Sequence, residues 1–143
     1  MKVAEILKTK TRNLVTIPPT LTVYDALKVM GEHNIGALLI TENGKLLGIF
    51  SERDYARKIV LKGKNSHETM VTEIMTKDNI ITVSPTNSIE ECMQLMSNYK
   101  IRHLPVMLDG TLTNIVSVSD VVTCIIEMQK NTIDHLQNYI RNS

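Results

Sequence analysis

The chain has 143 residues, 43% of them hydrophobic and 22% charged, with a net charge of +1. That length suits one compact domain or two very small ones and is enough to bury a real core. The near-neutral balance gives no electrostatic reason to expect nucleic acid or an anionic membrane as partner.

Four Tyr, one Phe and no Trp leave few aromatics. Base stacking is therefore not the expected binding device, and the core must come from Ile, Leu, Val and Met. Cys92 and Cys124 lie inside apolar helical patterns. They read as buried thiols in a reducing compartment, not as a disulfide or a metal pair. No stretch approaches the roughly 18–20 apolar residues of a membrane helix. Met1-Lys2-Val3-Ala4-Glu5 carries mixed charge and no secretory pattern. A cytoplasmic protein is expected.

Taken in order, the chain repeats itself. Residues 13–59 align on 79–125 without a gap, a shift of 66, and thirteen positions are identical, among them Asn13/Asn79, Thr16/Thr82, Gly44/Gly110, Ser51/Ser117 and Asp54/Asp120. An internal period constrains the fold before any single element does. Two copies are too few for a solenoid. They suggest two halves related by a pseudo-twofold axis, each covering the other's open face.

Each copy opens with an extended piece, 14–17 and 80–83, closed by a Pro-Thr turn. An amphipathic helix follows. Thr22 with Asp25, and Ser88 with Glu91, are capping-box pairs. Val23, Ala26, Leu27 and Met30 recur at helical spacing, as do Ile89, Cys92, Met93 and Met96. A buried strand comes next (37–41; 103–107), then a tight turn at Asn43-Gly44 and at Asp109-Gly110, dipeptides that tolerate positive φ. The return strand ends in Ser51-Glu52-Arg53-Asp54 and Ser117-Val118-Ser119-Asp120, and a second helix begins there (52–61; 119 onward). The expected order is β-α-β-β-α, twice.

The polar stretch 62–67 reads as a linker. Val71-Thr72-Glu73-Ile74-Met75 echoes Val3-Ala4-Glu5-Ile6-Leu7 at an offset of 68, and each echo is expected to be a short helical turn docked beside its own repeat. After Ile125 the helical pattern continues through Ile126, Ile133, Leu136 and Ile140. This stripe either folds back on the repeats or packs on a second chain. The expected division is 1–62 for the first repeat, 63–70 for the linker, 71–126 for the second repeat and 127–143 for a helical tail.

Ser-x-x-Asp at a strand-to-helix junction is first of all a helix cap. It also sets a hydroxyl, a carboxylate and free first-turn amides side by side, which suits a sugar diol and a phosphate. Either use accounts for one copy alone; two copies at equivalent positions favour binding. No nucleophile-base set, phosphate-loop or dinucleotide fingerprint is present, and the His and Cys residues lack metal-ligand spacing.

The doubled unit, the Gly48-Ile49-Phe50-Ser51-Glu52-Arg53-Asp54 string and the Ile101-Arg102-His103-Leu104-Pro105-Val106 string together resemble the CBS domain family. The chain looks like a stand-alone tandem pair, a Bateman module, over residues 3 to about 124. The resemblance implies an α/β (α+β) fold of two repeats packed sheet to sheet. It implies a regulatory module without a reaction or a catalytic cofactor, binding an adenosyl ligand such as AMP, ADP, ATP, NAD or S-adenosylmethionine. Carried over, Asp54 and Asp120 match its ribose-binding carboxylates, and Ser51 and Ser117 its phosphate-side hydroxyls. Val15 and Ile81 match strand positions whose backbone meets the adenine edge, with Thr16 beside the first. Arg102 and His103 match a basic pair that reaches phosphates, and Arg53 joins this set. Each ligand would lie across the seam, Asp120 working with Val15 and Asp54 with Ile81. A homodimer with an unidentified downstream partner is expected, with a structural dimerisation module of empty clefts as the alternative.

The copies differ: Gly48 becomes Asn114, Arg53 becomes Ser119, and Gly36-Ala37 stands where Arg102-His103 stands. The two clefts therefore cannot be equivalent.

Overall fold

A computed structural model describes residues 1–10 and 14–142. Asn13, where the internal match begins, and Ser143, at the end of the expected tail, lie outside the described residues. The elements are α1 (Val3–Thr9), β1 (Thr16–Ile17), α2 (Val23–His33), β2 (Ala37–Glu42), β3 (Lys45–Ser51) and α3 (Glu52–Asp54), the last running into a π-helical stretch (Tyr55–Val60). Then come α4 (Val71–Ile74), α5 (Ile89–Tyr99), β4 (His103–Leu108), β5 (Thr111–Ser117) and α6 (Val118–Arg141). The fold is the expected α+β pair. One sheet has the order β1-β2-β3, the other is the hairpin β4-β5, and the two meet through β3 and β5.

The hairpins form where the turn dipeptides lie. Asn43 and Gly44 have φ 52° and 78°, Asp109 and Gly110 have φ 51° and 78°, as a two-residue turn matching the strand twist requires. Each hairpin carries a bulge at the same place, between Ile40 and Thr41 and between Val106 and Met107. The Thr22 and Ser88 hydroxyls accept from the Asp25 and Glu91 amides at the starts of α2 and α5, which gives the forward half of each expected box. The buried residues form two clusters, one per half, with Leu38, Ile40 and Phe50 in the first and Leu104, Val106 and Val116 in the second.

Several expectations need correction. The lead-in turns do not dock on their own repeats. Val3 and Ile6 of α1 belong to the second repeat's core, and Val71 and Ile74 of α4 to the first repeat's. Backbone bonds secure the exchange: the Val3 amide donates to the Asn87 carbonyl (2.9 Å) and the Val71 amide to the Leu21 carbonyl (3.0 Å). A helical turn of four to seven residues has too little surface to fold alone, and the repeat across the seam offers the open apolar edge.

The expected strand 80–83 shrinks to a single bridge, Val83 to Val106, whereas β1 pairs in parallel at Thr16↔Leu39 and Ile17↔Ile40. Pro105 stands where the first repeat has Leu39 and has no amide hydrogen for the ladder. The expected helix 52–61 changes after Asp54 into a π turn, with the Leu61 amide donating to the Ala56 carbonyl (3.1 Å). Cys92 is buried, but Cys124 is partly exposed. The tail continues α6, and residues 131–142 are exposed throughout; it does not fold back on the described part of the repeats. Among the described residues no helix is long and apolar enough to cross a membrane.

Candidate ligand-binding cleft

A cavity of about 540 Å³ opens at the seam between the repeats. From the first repeat it is lined by Gly36, Ile49, Ser51, Glu52, Arg53, Asp54 and Arg57; from the second by Thr76, Asn79, Ile80, Ile81, Tyr99, Lys100, Ile101, Arg102, His103 and Pro105. Six sequence-derived candidates thus share one hollow: Ser51, Arg53, Asp54, Ile81, Arg102 and His103.

The Ser51–Asp54 corner is built by the end of β3. Asp54 Oδ2 accepts from the Ser51 amide (2.9 Å) and hydroxyl (3.1 Å), and the Ser51 hydroxyl accepts from the Asp54 amide (3.2 Å). Asp54 Oδ1 pairs with Lys58 Nζ at 3.1 Å. Lys58 also donates to the Ile74 carbonyl (2.8 Å), so it ties the corner to the turn exchanged from the other repeat. A carboxylate offers about four lone-pair directions; the contacts just described use three, and the remaining one lies on Oδ1. That direction accepts one hydroxyl of a diol, and the second can be accepted only if Lys58, 43% exposed, moves off Oδ1.

Across the seam, Arg53 Nη1 donates to the Lys100 carbonyl at 3.0 Å. Lys100 ends α5 with φ 54° and ψ 45°, in the left-handed region that costs a Cβ-bearing residue free energy. Arg53, Arg57, Lys100 and Arg102 surround the cavity against Glu52 and Asp54. Their counterparts in the other copy are Ser119, Thr123, Asn34 and Gly36, none of them charged. Burial holds His103 below the usual imidazole value; Lys10 and Arg102 push the same way, and Asp120 opposes them. Its ring is thus kept mainly as a neutral donor and acceptor.

The base edge also differs between the copies. β1 pairs in parallel at Thr16↔Leu39, where Leu39 has an amide hydrogen to give to the ladder. In the second copy Pro105 has no amide hydrogen, and both Ile81 and Pro105 line the cavity.

The remaining candidates are not brought into this hollow. Val15 is half-buried against the first core and Thr16 is exposed. Ser117 and Asp120 cap α6 through a reciprocal pair, the Ser117 amide to Oδ2 at 2.8 Å and the Asp120 amide to Oγ at 3.2 Å. Asp120 lies in a separate hollow of about 410 Å³ with Glu5, Lys10, Thr123, Cys124 and Glu127. Its Oδ2 is 3.0 Å from Lys10 Nζ, and Lys10 also donates to the Ile115 carbonyl. Burial pushes the Asp120 carboxyl upward, but the Ser117 amide and Lys10 outweigh it and hold it below the usual range. The reading of the residues missed Lys10, Arg57, Lys100 and Pro105. The signal for the last three was the same: each breaks the match between copies.

The CBS domain family model matches residues 3–61 and 71–127. The chain belongs to the CBS domain family. Among its relatives, the mitochondrial CBS domain-containing protein CBSX3 of Arabidopsis thaliana is 43% identical over 124 residues, 84% of this chain and 60% of that protein. The present chain thus spans less than two thirds of that relative. A CBS-domain structure from Burkholderia ambifaria MC40-6, described as a candidate signal-transduction protein, superposes with a TM-score of 0.85 at 44% identity, covering 89% of this chain and 95% of that one. The CBS domain pair of protein MJ0100, solved with 5′-methylthioadenosine and S-adenosyl-L-methionine, superposes with a TM-score of 0.76 at 28% identity, covering 87% and 99%. The chain is therefore a tandem CBS pair, as its doubled strings imply.

Proposed function

We propose that this CBS pair is a regulatory module that binds a phosphorylated adenine nucleotide in the Asp54 cleft. The observation that carries this is the clustering of a hydroxyl-carboxylate corner, the Ile81 strand position and four cationic residues around one hollow of about 540 Å³. Asp54 would take the ribose diol and Ile81 the adenine amino group. Arg53, Arg57, Lys100 and Arg102 would take the phosphates, with His103 beside them. Binding would bridge the repeats and alter their relative pose, which is the output of a sensor without a reaction of its own.

ADP, ATP and NAD suit the cleft better than S-adenosylmethionine. The structural neighbour MJ0100 holds adenosyl compounds without phosphate, but here a sulfonium cation would meet four positive side chains. A homodimer through α6 belongs to the same reading. An empty structural dimerisation module is the second reading, favoured by the exposed apolar stripe of α6 and by the capping work both Asp residues already do.

Calorimetry and thermal shift with AMP, ADP, ATP, NAD and S-adenosylmethionine test this. The phosphorylated ligands should bind and raise the melting point. Asp54→Ala removes charge-assisted bonds of roughly 1.5–3 kcal/mol and should weaken binding about 10–100-fold. If none of the five ligands shifts the melting point, the module is not an adenosyl sensor and the structural reading stands.

A further inference from the structure

We infer that the Asp120 corner is filled from within by Lys10, so that each chain takes one nucleotide, in the Asp54 cleft alone. The stoichiometry rests on the nucleotide reading above; the role of Lys10 does not.

The two corners begin alike. In the first, the backbone of Ile49 is paired from outside by Thr76, amide to carbonyl in both directions at 2.9 Å. The Asp54 carboxylate there has a lysine of its own, Lys58 at 3.1 Å from Oδ1, but that side chain is 43% exposed and the Ile49 backbone takes nothing from it. In the second, the counterpart Ile115 is satisfied by side chains instead. Its amide donates to Asn114 Oδ1 (2.8 Å) and its carbonyl accepts from Lys10 Nζ. The same ammonium sits 3.0 Å from Asp120 Oδ2, with the Lys10 side chain only 16% exposed.

The sequence differences explain why the two pairings cannot be exchanged. At position 48 a Cβ would overlap the Met75 sulfur and come within 2.8 Å of its Cγ, so any side chain there requires Met75 to move. Position 114 is Asn, and its amide oxygen serves the neighbouring backbone. A ligand diol approaching Asp120 would have to displace a half-buried cation from its carboxylate and strip Ile115 of a partner. Removing one member of such a pair leaves the other charge uncompensated. The base edge differs as well, since β1 pairs with β2 at Thr16↔Leu39 whereas Pro105 at the matching position has no amide hydrogen. The net effect turns a pseudo-symmetric pair into a one-site module, with Lys10 acting as a structural counter-ion.

Calorimetry with ATP on the whole protein should give one equivalent per chain. Asp120→Asn should leave the affinity within about threefold, a change below 1 kcal/mol, while lowering the melting point. A ligand-free thermal cycle of Lys10→Met, Asp120→Asn and the double variant should be non-additive, because the two groups share one contact. Two equivalents in the unaltered protein, or a tenfold loss of ATP affinity in Asp120→Asn, overturns the one-site assignment. Additive melting shifts overturn the Lys10 contact itself. Absence of heat with every nucleotide sinks the nucleotide reading but leaves the thermal cycle to decide what Lys10 does.

Discussion

At the scale of single residues, the two halves are held apart by a few substitutions with large consequences. Lys100 shows how one residue can serve the cleft at a cost to the fold. Its backbone is left-handed (φ 54°) at the end of α5, where the matching helix α2 ends in Asn34 (φ 52°). Asn tolerates that conformation and Lys does so less readily. Strained positions cluster where function needs a group in a particular place, and Lys100 lines the cavity while its carbonyl holds Arg53. Lys100→Gly removes the Cβ penalty and keeps the carbonyl, so unfolding in urea should show a gain of about 0.5–1 kcal/mol. The same variant should bind ATP less tightly than the parent, with the deficit shrinking at high salt as screening grows. A stability gain without loss of ATP affinity would mean that the Lys100 ammonium does not meet the phosphates.

At the scale of elements, the exchange of lead-in turns is the main joint between the halves. Ile6 is 4% exposed and sits in the second core, and Ile74 is 2% exposed and sits in the first. Truncating either should cost about 2–5 kcal/mol, as for other buried Ile→Ala changes. The location of the damage separates an exchanged joint from a local one. In hydrogen exchange, Ile6→Ala should loosen α5, β4 and β5 before β2 and β3, and Ile74→Ala the reverse. Damage confined to the sequence-adjacent repeat in each variant would contradict the exchange. This joint was not legible in the chain because the echoes Val3-Ala4-Glu5-Ile6 and Val71-Thr72-Glu73-Ile74 carry a helical pattern but no address. A pattern tells which face is apolar, not which partner covers it. The hairpins were legible because Asn43-Gly44 and Asp109-Gly110 set their own geometry. The corners were legible because Ser51 and Asp54 lie within one turn of chain. What stayed hidden was contributed from afar: Lys10 on Asp120 spans 110 positions, and Arg53 on Lys100 spans 47. The missing strand at 80–83 was in fact written in Pro105, whose want of a donor matters only once the register is known.

At the scale of the whole molecule, α6 carries more apolar surface than one copy of the chain can cover. It runs for 24 residues, about 36 Å at 1.5 Å per residue, and only Val121 of it is buried. Val122, Ile126, Ile133, Leu136 and Ile140 are each between 47% and 69% exposed and recur at spacings of four, seven, three and four, which places them on one face. The described stretch beyond residue 130 buries none of its apolar side chains within the chain, and a second α6 presents a matching stripe. Antiparallel pairing of two such helices would also set the two Asp54 clefts in one assembly, so a change of pose at either seam would be felt at the shared contact. Light scattering should therefore give about twice the chain mass of 16.1 kDa. Ile133→Asp with Leu136→Asp puts charge in the middle of the stripe without touching either core, and this double variant should return to a single mass while keeping the far-ultraviolet circular dichroism of the repeats. ATP affinity per chain should survive in that monomer, because the groups proposed to hold the ligand, Asp54, Ile81 and the four cations, all lie on one chain. A double variant that stays dimeric would move the contact to the exposed faces of α2 and α5, where Tyr24, Met93 and Tyr99 stand. A monomer that no longer binds would mean that the cleft is completed only in the assembly.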